Sequence, residues 1–128
     1  MENYHKYIVS TEEVNTFLHR TSKTLVDKIL QEGLTTNGNI KTTATLQPKN
    51  LDVAINYYLN GKDHGDACVV IQIPKRLWDS ARSSGYRDDE IMSPSIGFLD
   101  VKNHGFTVKP EYVIGWIDRE TNTVYKKQ

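Results

Sequence analysis

The sequence predicts an α+β fold made of small, split, mostly antiparallel sheets with two short helices early in the chain. Two observations carry this. Helical periodicity is confined to two short segments in the first half, and a run of strand-like segments follows. No G-x-G-x-x-G or G-x-x-x-x-G-K loop occurs, so a Rossmann or P-loop nucleotide site has no support. A length of 128 residues fits one domain, residues 1–128, large enough to bury a core.

The elements follow in order. "YHKYIVS" reads as a short strand, and "TEEVNTF" as a turn or short helix after it. "FLHRTS" reads as another short strand. "SKTLVDKILQEG" is the clearest helix, with Leu25, Val26, Ile29 and Leu30 as its apolar stripe. Thr21 or Ser22 caps its start, and Gly33 fits the position just past its end. "IKTTATLQ" alternates weakly and reads as a strand with a polar face. "NLDVAINYYLNG" is a second short helix, capped by Asn50 or Gln47 and ended by Gly61.

"ACVVIQIP" is apolar throughout, as in a central buried strand, and Pro74 stops it. From Pro74 to Ser95 the chain is polar, with "SSGYRDDE" an exposed loop. "IGFLDV" and "HGFTVKPEYVIGWID" are further strands. "NTVYKK" is a last edge strand blunted by lysines.

Composition bounds the function. The hydrophobic fraction of 38% and charged fraction of 25% are those of a soluble globular protein. Formal net charge is zero, which does not favour a nucleic-acid or membrane-surface partner. No apolar run approaches the roughly 20 residues that span a bilayer. "MENYHKYIVS" lacks the basic flank and apolar core of a signal peptide. The one cysteine, Cys68, sits in a strand pattern and reads as a buried thiol, so a reduced, cytoplasmic compartment is the default. His64 and His104 lie in loop-like segments without ligand spacing, and no metal site is expected.

Three stretches then line up. "FLHRTSKTLVDKILQEGL" is a strand ending in His-x-Thr-Ser, a helix, then Glu-Gly-Leu. "TTATLQPKNLDVAINYY" places Ala54 and Tyr57 one helical turn apart. "KPEYVIGWID" sets a carboxylate, Glu111, before an apolar strand. In order and separation these resemble the ADP-ribosyltransferase fold, in the branch with a His–Tyr–Glu triad that includes diphtheria toxin and the poly(ADP-ribose) polymerases. The resemblance runs from about Phe17 to Asp118.

The resemblance implies a mono-ADP-ribosyltransferase with NAD as substrate and a macromolecular acceptor, expected to be a protein. Glu111 would be the catalytic residue. His19, Arg20, Thr21, Tyr57 and Tyr58 would form the NAD site, with Tyr57 stacking on nicotinamide and Tyr58 facing the core. His19 would brace the adenosine ribose, and His5 competes for that role if "YHKYIVS" is the true first strand. Acceptor recognition would fall to the loop "VKNHGFTVKP", through His104 and Phe106. Two positions depart from the family: Arg20 stands where it commonly has Gly, and Ala54 where it often has Ser. An ADP-ribosyltransferase-like binding module with little catalysis is therefore one alternative. A tRNA 2′-phosphotransferase-like enzyme is another. The ordinary alternative for Glu111 is a solvated strand-end carboxylate.

Physical chemistry is consistent with the implied roles. Cleaving the nicotinamide–ribose bond passes through an oxocarbenium-like state. A fixed carboxylate can bond the ribose 2′-hydroxyl and stabilise the developing charge. A flat tyrosine can hold a flat heterocycle at small entropy cost.

Overall fold

The structure is a computed structural model. It describes residues 10–36, 40–43, 46–60, 65–78, 90–91, 99–102 and 105–127. It is mixed α+β, and every strand pairing in it is antiparallel. The first strand of the sequence reading, "YHKYIVS", lies almost wholly outside the described residues, as do His5, "SSGYRDDE" up to Asp89, and His104.

β1 spans Val14–Thr21. It begins earlier than "FLHRTS" and absorbs most of the segment read as a turn or short helix. Long-range pairing decides this, because Val14–Phe17 match Ile71–Pro74 residue for residue. β4 is Ala67–Pro74, with Ala67 to Ile71 and Ile73 all buried. β8 is Val113–Asp118 and β9 is Thr123–Lys126. Together they form the main sheet, in the order β1-β4-β8-β9. β4 is interior as its two apolar faces require, and the lysine-bearing β9 is one of the two edges, β1 being the other.

Each face of this sheet carries its own core. On one face, Phe17, Val69, Ile71, Ile73 and Val113 pack with Ile29, Leu34, Ile40, Trp78 and Val108. Phe17 and Trp78 meet at 4.7 Å with tilted rings. On the other face, Leu18, Cys68, Val70 and Ile117 pack with Leu46 and Leu51.

α1, Lys23–Glu32, covers the first face. Ser22 is its N-cap and accepts from the Thr24 N–H, and the Gly33 N–H closes on the Ile29 carbonyl at 2.8 Å. Val26 and Ile29 are buried and Leu30 is half-buried, but Leu25 is 49% exposed. The stripe is therefore narrower than the sequence suggests, with Leu25 on its flank. α2, Leu51–Asn60, covers the second face through Leu51 and Ala54. Its lead-in turn is fixed by the Gln47 N–H donating to Asn50 Oδ1 at 2.8 Å.

Two smaller sheets accompany the main sheet among the described residues. β2 (Leu34–Thr36), β7 (Gly105–Val108) and β6 (Leu99–Lys102) pair in the order β2-β7-β6, and β3 (Ile40–Lys41) pairs with β5 (Glu90–Ile91). Among the described residues of "IKTTATLQ", strand is confined to Ile40–Lys41. Thr43 instead caps the outer edge of β1: its N–H donates to the Leu18 carbonyl at 3.0 Å and its hydroxyl accepts from the Leu18 N–H at 3.0 Å. The polar stretch after Pro74 also yields structure, because residues 75–78 are helical and bury Trp78. Among the described residues no helix is long and apolar enough to cross a membrane.

Candidate functional site

Glu111 does not sit in the strand. It lies in a 3-10 turn, Pro110–Tyr112, that leads into β8. Pro110 has no N–H to give a ladder and its fixed φ suits the first turn position. The Tyr112 N–H donates to the Lys109 carbonyl at 3.0 Å, and the Val113 N–H donates to the Pro110 carbonyl. Tyr112 packs on the first-face core. Glu111 itself is exposed, and among the described residues no group bonds its carboxylate.

Gly33 locks this turn to α1. Its φ of +91° and ψ of 175° lie in a region that only glycine enters readily. A Cβ there would stand 2.2 Å from the Val108 carbonyl oxygen, 2.8 Å from Thr107 Cγ2 and 3.2 Å from Pro110 Cδ. The glycine of "ILQEGL" is thus the seat of the segment that presents Glu111.

His19, Arg20 and Thr21 end β1, all partly exposed. His19 is paired with Val69, which is paired with Trp116, so the three share one row on the first face. Arg20 pairs with Cys68 and faces the other side. Its peptide groups point the same way as those of Thr16 and Leu18, outward from β4 at the sheet edge. Thr21 is held by Gly65, where a Cβ would come within 2.3 Å of the Thr21 carbonyl oxygen.

His19 and Glu111 frame opposite ends of the first face. His19 is in register with Trp116 across β4, whereas Glu111 precedes Val113, the first residue of β8. The structure does not bring them into contact. α2, which carries Tyr57 and Tyr58, packs on the opposite face from His19; the side chains of both tyrosines are outside the described residues, as is that of Phe106. The backbone of Phe106 is described, paired with Thr36 and Val101 in β7.

A charged cluster next to His19–Thr21 escaped the sequence reading. Lys23 Nζ bonds Asp118 Oδ2 at 3.0 Å and also bonds Glu120, while the Lys23 N–H donates to Asp66 Oδ1 at 2.7 Å. Asp118 Oδ1 accepts from the Glu120 N–H at 2.8 Å and more distantly from Thr121. Burial pushes the Asp118 carboxyl up, but the Lys23 hydrogen bond and those two N–H groups outweigh it and hold it below the usual range. Glu120 first, then Asp118, raise Lys23 above the ordinary lysine range. Arg119 Nη1 bonds the Gly65 carbonyl. These contacts tie the start of α1 to the β8–β9 turn and fix the end of β1. The only local sequence signals are the polar turns "HGD" and "DRET".

Cys68 is fully buried, and burial pushes its thiol up to about 12 against the nearby Arg119 and Arg20. It stays protonated at neutral pH and is no nucleophile.

Comparison with known proteins returns no match, whether to family models, to curated proteins or to solved structures.

Proposed function

We propose that the protein is a mono-ADP-ribosyltransferase. Nicotinamide leaves NAD with the bonding electron pair, the ribose carbon is attacked by a nucleophile of a macromolecular acceptor, and the acceptor's proton is released. Glu111 bonds the 2′-hydroxyl of the nicotinamide ribose and stabilises the positive charge that develops. The acceptor is a protein, met at β7 and the residues before it.

One observation carries the reading. Glu111 is an exposed carboxylate without a partner among the described residues, on a turn seated by the glycine of a motif 78 positions earlier (111 − 33). A solvated strand-end glutamate needs no such seat. The separation of His19 from Glu111 also suits NAD, whose two riboses stand at either end of a pyrophosphate.

A second reading, an NAD-binding module with little catalysis, is favoured by α2 lying on the face opposite His19. One experiment tests both. Nicotinamide release and NAD binding are measured for the wild-type protein and Glu111→Gln. The substitution removes charge at an exposed position, so it should lower release by at least about tenfold while leaving the fold intact. Equal release by the two proteins refutes Glu111. Binding without release in the wild type selects the module.

A further inference from the structure

We infer that Lys127 is a positioning residue for Glu111, an inference that rests on the function proposed above. Lys127 lies one residue past β9 and is exposed. Its backbone N–H donates to the Ile114 carbonyl at 2.8 Å, and its ammonium donates to the Pro110 carbonyl at 2.7 Å. One residue thus grips β8 at its root and the Glu111 turn at its tip.

The backbone explains why this grip is available. The register between β4 and β8 shifts at Val70/Ile71, so Val70 faces Gly115 while Ile71 faces Val113. Ile114 is the extra residue of a bulge on the β4 side of β8; on the β9 side it stands opposite Lys127, next in the register that pairs Gly115 with Lys126, so the Lys127 N–H bond continues that ladder and fixes where the lysine side chain starts. Pro110 is the peptide unit immediately before Glu111, and its carbonyl receives both Val113 N–H and the ammonium. A three-residue turn has few bonds of its own, so an added charge-assisted bond bears on the direction in which residue 111 leaves the backbone. The ammonium has three donors and spends one on Pro110, which leaves cationic N–H groups beside the turn that carries the carboxylate.

An exposed lysine bond ordinarily contributes little to global stability. The effect expected here is local, and it separates from a stability effect. Four proteins are compared: wild type, Lys127→Met, Lys127→Arg and Lys126→Met, the last losing the same charge one residue away. Lys127→Met should lower kcat for nicotinamide release about fivefold to tenfold with KM for NAD changed less than about twofold. Its melting temperature should stay near that of the wild type. Lys127→Arg, which can still donate to Pro110, should recover most of the rate, and Lys126→Met should behave as wild type. Amide exchange at Val113, whose bond shares the Pro110 carbonyl, should run about tenfold faster in Lys127→Met alone.

Unchanged exchange at Val113 in Lys127→Met overturns the proposal, as does a rate loss that Lys127→Arg fails to rescue or that Lys126→Met reproduces. If the wild type releases no nicotinamide, the ADP-ribosyltransferase reading falls by itself. Exchange at Val113 then decides the positioning role alone, faster exchange supporting it and unchanged exchange refuting it.

Discussion

Gly33→Ala tests the link between α1 and the Glu111 turn. The new methyl group meets two obstacles. The backbone at φ +91° and ψ 175° is held against the preference of any L side chain, at about 2 kcal/mol. The Cβ also falls 2.2 Å from the Val108 carbonyl oxygen, which is backbone and cannot swing aside. Relieving that overlap by moving residues 107–110 costs about another 2 kcal/mol, the usual scale of overpacking. The sum is about 4 kcal/mol. A chain of 128 residues unfolds with an entropy of about 0.27 kcal/mol/K, so the melting temperature should fall by about 15 °C.

The loss should not be only global. Below its own melting temperature, Gly33→Ala should release nicotinamide more slowly than its folded fraction explains, because the displaced residues lead into Glu111. Gly65→Ala is the matched control for the loss of stability alone, since it adjoins Thr21. Its φ is +102° and its Cβ would stand 2.3 Å from the Thr21 carbonyl oxygen, so a comparable drop in stability is expected at the other end of the sheet. Melting is followed by circular dichroism, and release is assayed well below both midpoints. A Gly33→Ala protein that melts within about 3 °C of wild type would refute the close packing inferred here.

Further outcomes follow from other contacts. Asp118 titrates below its unfolded value, so its contribution to stability is present above about pH 4 and is lost as pH falls through the folded value. The drop in melting temperature between neutral and strongly acidic pH should therefore be smaller in Asp118→Asn, which starts lower; parallel curves would remove Asp118 as a source of acid sensitivity. If the NAD site extends to α2, on the face opposite His19, Tyr57→Ala should weaken NAD binding more than Tyr58→Ala, and Tyr58→Ala should lower the melting temperature more, checked by calorimetry on both; equal NAD binding by the two would exclude α2 from the site. The reverse order would exchange their roles. The double substitution His104→Ala with Phe106→Ala should reduce transfer to a protein acceptor while NAD hydrolysis persists; joint loss would make this segment a support of the NAD site.

How far the sequence foretells this arrangement depends on whether each feature is local. α1 is legible because its cap, stripe and closing glycine lie within one window, from Ser22 to Gly33. β4 is legible because burial on both faces leaves a continuous apolar run that Pro74 ends. The start of β1 is not, since Val14–Phe17 are strand only by virtue of partners more than 50 residues away. The Lys23 cluster is hidden for the same reason: its ammonium meets a carboxylate 97 positions on. Glu111 falls between these cases. The run from Val113 to Ile117, apolar on both faces, announces β8, and Glu111 stands out as an acid beside it. A three-residue turn has no period of its own, however, and neither the glycine beneath it nor the lysine that holds Pro110 is near in sequence. The residue type was readable from the chain, whereas the means of aiming it exists only once α1, β8 and the residue after β9 are brought together.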